Sequence, residues 1–424
     1  MKKNILNPIV ISCICFLCLY GLVFSSCNKA LPGATPIIYP PVNDVGTSIG
    51  DLINTDTSFS FFKAAAEKTG QLAQLSDSNN IFTVFLPNNN AFRASGIPSI
   101  DVVNALPATT IGAIVGYSII PGQQFLSTDI PVATTTVPNE QLPSSLTIGA
   151  LPGTPLPLKL STFPSRTTTV FYDNNIPVVQ PDMKMRNGVV HLTATLVAPP
   201  SQLLKDAIYG NPNLSYFEAA IARADSGSTG LNKLDSLLGY GVTNMTVLVP
   251  NNAAFQTLIY GIAFQSYLSA RPTPYTAMDS MYADATGKGA VAAGPALLST
   301  NSVTTAQLKG ILAYHFLATD QGAGFQPNIR VFSNNFATTP GVFYTTLVNT
   351  LIPPTMQPGV MAQASFTGPF VSGLQFRGAG TFPPGGAPYS NVANALISSP
   401  ANPFFDNIAV NGVFYVIDKV LLPQ

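Results

Sequence analysis

Two stretches of the chain set out apolar and polar positions in the same order. Thr83-Val84-Phe85-Leu86-Pro87-Asn88-Asn89-Asn90-Ala91-Phe92 returns as Thr246-Val247-Leu248-Val249-Pro250-Asn251-Asn252-Ala253-Ala254-Phe255. Each is a β-rich apolar run, then Pro, two Asn, a small residue and Phe. Val84, Phe85 and Leu86 suit a buried, pleated surface. Pro87 has no N–H for a central ladder, so the strand ends there. Asn88 and Asn89 are candidates to cap the open N–H groups of a following helix, on which Phe92 packs back. A motif this long, present twice, predicts a duplicated fold.

The pattern around the two copies fills in the rest. Ser48-Ile49-Gly50-Asp51-Leu52-Ile53 opens the first unit, and Phe59, Phe62, Ala65, Ala66 and Leu72 recur at helical spacing. Ile100 to Leu106 and Ile111 to Ile120 read as helices, the second bearing Tyr117. Residues 121–180 carry short alternating runs such as Thr167-Thr168-Thr169-Val170-Phe171-Tyr172, the mark of antiparallel strands. Asn187-Gly188 signals a turn into a closing strand from Val189 to Val197. Pro199-Pro200 is the expected joint. The second unit restarts at Leu203-Leu204-Lys205-Asp206-Ala207-Ile208 and runs to Val416-Ile417-Asp418-Lys419-Val420-Leu421-Leu422. The span from Phe255 to Tyr314 is more than twice that from Phe92 to Tyr117. The second unit is therefore expected to hold two extra loops, within about 260–305 and about 350–405. They include Arg271-Pro272-Thr273-Pro274-Tyr275 and Phe382-Pro383-Pro384-Gly385-Gly386. Long loops in compact domains are often functional, so Tyr275 and Tyr389 become candidate binding residues by position.

The repeated strand–Pro–Asn-Asn motif resembles the first signature of the fasciclin (FAS1) domain family. A second signature of that family, a helix ending near Tyr-His and then a Gly-Val-Val-His-like closing strand, has two counterparts. They are Ile114-Val115-Gly116-Tyr117-Ser118 with Asn187-Gly188-Val189-Val190-His191-Leu192, and Ile311-Leu312-Ala313-Tyr314-His315 with Asn411-Gly412-Val413-Phe414-Tyr415-Val416-Ile417-Asp418. The resemblance implies an α+β chain of two tandem fasciclin-like domains, 46–198 and 201–424, each a β-sandwich wedge with flanking helices. Tyr314-His315 matches a region linked to integrin binding in some animal members, and stands as a candidate binding pair. Ser118 replaces the His in the first unit.

At the start, Lys2-Lys3, the apolar run Ile9 to Phe24 and Ser25-Ser26-Cys27 form the three regions of a secretory signal. The run is short for a stable membrane span, which needs roughly 20 apolar residues. Phe24-Ser25-Ser26-Cys27 resembles a bacterial lipobox, with Phe in place of the usual Leu. The resemblance implies a signal peptide over 1–26, a diacylglycerol thioether and N-acylation on Cys27, and a lipoprotein of Bacteroidota type. The Pro-rich stretch 27–45 reads as a lipidated tether. Cys13, Cys15 and Cys18 fall inside the presumed signal, so Cys27 alone remains, and lipidation consumes its thiol. No Asp/Glu cluster follows Cys27, which leaves the periplasmic and cell-surface faces of the outer membrane both open.

Composition narrows the function. Only 9% of residues are charged and they balance to zero, so no basic stripe for nucleic acid is present. The two His, 191 and 315, have no second ligand at metal spacing, and no Cys-x-x-Cys occurs. There is no Gly-x-Ser-x-Gly elbow and no phosphate loop. His315 could be named with Asp320 as a base and its orienting carboxylate, but nothing in the spacing favours that pair. No catalytic residue, metal or cofactor is expected. The expected role is non-catalytic adhesion or binding of a protein or polysaccharide at the envelope. The alternative is an accessory glycan-binding lipoprotein of an outer-membrane nutrient-uptake system.

Overall fold

The computed structural model describes residues 46–132, 141–150, 155–299, 304–322, 324–381, 387–397 and 402–424. The expected signal peptide, Cys27, the tether and the 382–386 stretch lie outside these residues.

In the first repeat, Ser48 caps α1 (Ile49–Thr55) through a reciprocal box with Asp51. α2 (Ser60–Lys68) and α3 (Leu72–Ser76) follow, then β1 (Phe82–Pro87), α4 (Asn89–Ala94), α5 (Ile100–Ala105) and α6 (Ala108–Tyr117). The helix expected to reach Ile120 stops at Tyr117, because Ile119–Pro121 forms β2. Next come β3 (Leu142–Ala150), β4 (Pro157–Thr162), β5 (Pro164–Arg166), β6 (Phe171–Asp173), β7 (Ile176–Met185) and β8 (Gly188–Thr193). The closing strand is thus shorter than Val189 to Val197. The sheet runs β2-β1-β8-β7-β6-β5, with β1 and β8 parallel and the other neighbours antiparallel. The helices cover one face, where Phe62, Ala65, Ala66, Leu86, Phe92 and Val115 are wholly buried. Each such aromatic or large aliphatic side chain contributes roughly 1.5–3 kcal/mol.

The second repeat follows the same plan. α7 (Leu204–Tyr209), α8 (Ser215–Ala224) and α9 (Leu234–Leu238) precede β9 (Met245–Pro250). α10 (Asn252–Ser269), α11 (Ala277–Ala292) and α12 (Thr305–Ala313) follow. Then come β10 (Thr319–Asp320), β11 (Phe325–Gln326), β12 (Phe343–Tyr344), β13 (Val360–Thr367), β14 (Phe370–Arg377), β15 (Val392–Leu396), β16 (Asn407–Ala409) and β17 (Gly412–Ile417). β17 pairs in parallel with β9, as β8 does with β1. Both sheets curl into half-barrels. Among the described residues no helix is long and apolar enough to cross a membrane.

Both expected loop insertions prove to be mostly regular. The first is a helical hairpin of α10 and α11 around the Pro272–Pro274 turn. Thr276 caps α11 by a box with Asp279, a signature that was present in Thr276-Ala277-Met278-Asp279. Gly287 lets the helices close: a Cβ there would fall 2.5 Å from the Tyr260 ring, and the Tyr260 hydroxyl donates to Asp284 at 2.8 Å. The second contains the β13–β14–β15 meander, whose Val360, Ala362 and Ala364 face the core at period two.

Candidate functional site

The duplicated motif does the same work in both repeats, and the two Asn divide it. Asn88 caps α4 by accepting from Ala91 N–H at 3.0 Å, and Asn251 caps α10 through Ala254 N–H at 2.8 Å. Their neighbours do not cap those helices. Asn89 instead accepts from Phe61 N–H and donates to Thr57 O. Asn252 accepts from Tyr216 N–H and donates to Pro212 O. Each second Asn thus ties the strand exit to the start of α2 or α8.

A second amide does more than turn the chain. Asn187 accepts from Ile49 N–H at 2.9 Å and donates to Leu75 O and Asp77 O. Asn411 accepts from Leu204 N–H at 2.8 Å and donates to Leu238 O and Tyr240 O. Both are fully buried staples. Gly188 must follow Asn187, because its φ is +145° and a Cβ would meet Phe82 O at 1.9 Å.

The candidate binding pair Tyr314-His315 lies inside the fold. Both residues are 0% exposed. The Tyr314 hydroxyl donates to Gly359 O at 2.9 Å and accepts from Ala379 N–H at 3.1 Å. His315 accepts from Leu421 N–H at Nε2, so its Nδ1–H donates to Ile311 O. Burial lowers its pKa to about 4, and the bond from Leu421 requires the neutral ring. Neither side chain offers a partner any surface. Tyr117 is the counterpart of Tyr314, bonded to Ser161 O and Asn174. His191 sits opposite Phe85 as Tyr415 sits opposite Leu248. It accepts from Asp182 N–H at Nδ1 and donates from Nε2 to Phe125 O, between the Phe85 and Phe171 rings. Burial lowers its pKa too. Tyr275 is 44% exposed at the tip of the helical hairpin. Tyr389 is half-buried, its ring edge-on to Phe343, and no contact joins it to Tyr275. Asp418 accepts from the backbone and side-chain amides of Asn394, a cross-strand bond.

The chemistry that sequence spacing does not reveal gathers where the repeats meet. The tip of the β6–β7 hairpin, Asn174-Asn175, is buried there, unlike an ordinary turn. Asn175 donates to Asp406 of the second repeat at 3.2 Å. Asp406 also accepts from Ser333 N–H, the Ser333 hydroxyl and the Tyr415 hydroxyl. Ser165 accepts from the amides of Asn334 and Asn335. The Tyr172 hydroxyl donates to Pro369 O at 2.8 Å. The Arg330 guanidinium, buried and bonded to Asn244 and Val410 O, lies 4.3 Å over the Phe163 ring. This seam of amides, hydroxyls and one stacked cation joins the repeats directly.

Two carboxyls at the seam titrate abnormally. Burial raises Asp173 to about 7, against one hydrogen bond from Thr162 that lowers it. Burial also raises Asp406, opposed by its four donors. The unfolded chain loses the Asp173 proton near pH 4 while the fold keeps it to about 7, so Asp173 lowers stability as pH rises through that window. His315 acts oppositely: the unfolded chain gains a proton near 6.5 and the fold resists until about 4, so stability falls as pH drops through that range. The two offset below pH 6.5. Melting of the protein is therefore expected to weaken from pH 6.5 to about 7, and Asp173→Asn to weaken less over the same interval by calorimetry. An equal pH slope in both proteins would contradict this assignment.

Residues 57–199 match the Fasciclin domain family. Among solved structures, the chain is similar to a FAS1 domain pair from the insect cell adhesion molecule Fasciclin I. The identity is 14%, the match covers 86% of this chain and 96% of that one, and the TM-score is 0.33. No curated protein matches the chain. The second repeat reproduces the parallel strand pair, the Asn cap, the amide staple and the buried tyrosine of the first. Residues 57–199 thus match the Fasciclin domain family, and the second repeat has the same plan of strands, caps and buried amides.

Proposed function

We propose that this chain is a non-catalytic binding protein of the bacterial cell envelope. In this reading it is held to the outer membrane by lipid on Cys27 and recognises a protein or polysaccharide through its fasciclin repeats. The observation that carries the reading is the use of the chain's reactive groups. Both His are buried with both ring nitrogens engaged in the fold, and Asp173 and Asp406 are sealed in the seam. The outer surface left to a partner is poor in charge, with 9% charged residues along the chain. Such a surface favours contacts by shape, amide and hydroxyl over electrostatic capture.

The accessory glycan-binding reading is favoured by one feature, an uncharged groove beside the seam lined by Thr, Asn and aromatic side chains. Protease treatment of intact cells beside lysed cells tests the adhesive reading. Digestion of both repeats on intact cells is expected. Protection until lysis would place them in the periplasm, which sinks adhesion and leaves the nutrient-uptake reading standing.

A further inference from the structure

The helical hairpin of the second repeat carries more apolar surface than the fold covers. α10 is 18 residues long, against six for its counterpart α4, and it holds no charged residue. A helix that is apolar on all sides is normally buried. Yet of α10 only Ala254, Phe255, Ile259 and Leu268 are buried. Between α10 and α11 lies a groove of about 600 Å3. That is inside the usual span of roughly 300–1,000 Å3 for small-molecule sites, which often sit between helices. The buried Ile259 and Leu298 close its inner end, while its walls, Ile262, Ala263, Ala290 and Leu297, are half-exposed. A Cβ added at Gly289, which also lines the groove, would meet nothing within 4 Å. The walls are thus open to a ligand. From Ile259 to Tyr267 the groove follows eight residues of α10, about 12 Å.

The outer end of the groove carries a cation. Tyr267 lines that end, and the Arg271 guanidinium stacks 4.6 Å over its ring and donates to its hydroxyl at 2.8 Å. The other charges of the hairpin are engaged. Asp279 caps α11, and Asp284 holds Lys288 and the Tyr260 hydroxyl. None of the ion pairs among the described residues uses Arg271, whose side chain is exposed. A guanidinium has five N–H donors, so the bond to Tyr267 leaves it able to meet an anion. We propose that this groove binds the anion of a single-chain fatty acid, its chain along Ile262, Ala263, Ala290 and Leu297 and its carboxylate at Arg271. The proposal goes beyond the adhesive reading and does not depend on it. A peptide strand finds no open backbone edge on two helices. A sugar finds apolar walls where its hydroxyls need polar partners. A narrow apolar chain with one acidic end matches both the walls and the cation, and the cation disfavours a chain with a basic end.

The test is titration calorimetry of the chain from residue 27 carrying Cys27→Ser, so that no acyl chain of its own competes. The ligands are octanoate, decanoate and laurate, with decanol and decylammonium as contrasts. Laurate is expected to bind one-to-one, with affinity rising about fourfold per CH2 from octanoate. Decanoate is expected to bind more tightly than decanol or decylammonium. Gly289→Trp fills the groove from a helix position that glycine disfavours, and is expected to abolish binding with melting unchanged or raised. Arg271→Gln keeps a donor for Tyr267, and is expected to weaken decanoate about threefold while leaving decanol unchanged. Binding of none of the three acids, acid binding that survives Gly289→Trp, or equal binding of decanoate and decanol would each overturn the proposal. So would a dimer in sedimentation that Gly289→Trp dissociates, because the groove would then be a contact between two copies of the chain.

Discussion

Asn411→Ala is expected to destabilise the protein by roughly 2–6 kcal/mol in urea unfolding. The side chain is fully buried and holds one N–H and two carbonyls, of Leu204, Leu238 and Tyr240. Alanine leaves Leu204 N–H and Leu238 O without partners in the interior, while Tyr240 O keeps its bonds from Thr243, and each buried unpaired group costs roughly 1–3 kcal/mol. A domain has only about 5–15 kcal/mol in total. Asn187→Ala removes the equivalent bonds to Ile49, Leu75 and Asp77 and is expected to cost a similar amount. The two sites lie in different repeats and share no partner, so their effects should add. A loss under about 1 kcal/mol for either would mean that the amide is a turn residue and no staple.

Cys27→Ser is expected to move the protein almost wholly from the membrane to the soluble fraction and to abolish its fatty-acid labelling. The reasoning is one of scale. Each buried CH2 of an acyl chain contributes about 0.8 kcal/mol, and stable anchoring takes two such signals. Diacylglycerol with an N-acyl chain exceeds that. Among the described residues no helix is long and apolar enough to cross a membrane. Retention of Cys27→Ser at the membrane, still labelled, would contradict lipidation at this residue.

Local signals read well from the sequence where a few neighbouring residues decide the outcome. The strand that stops at Pro87, the cap by Asn88 and their copies at Pro250 and Asn251 followed from β-branched runs, a missing N–H and a short acceptor side chain. The sequence was less informative where one residue has two options. Asn89 is as good a cap as Asn88, but the helix accepts only the first, so Asn89 bonds to Phe61 and Thr57 instead. The helical hairpin read as a loop because α11 mixes Met, Gly and Asp without a clear apolar stripe, although its Thr276–Asp279 box was visible. The seam was not legible at all. Nothing near Asn175 in the chain announces Asp406, and nothing near Ser165 announces Asn334. These pairings exist only once both sheets have folded. Tyr314-His315 shows the opposite hazard, since a motif tied to recognition in other proteins is here two buried side chains with every polar atom bonded within the fold.

The proposed function is that the two repeats act as a lipid-tethered adhesive surface. The most direct measurement compares attachment of intact cells, to each other and to a polysaccharide-coated surface. One strain makes the anchored protein and the other makes equal amounts of Cys27→Ser. The account predicts strong attachment with the anchored protein and loss of it with Cys27→Ser, restored by neither fresh medium nor higher salt. Equal attachment by both strains would contradict it.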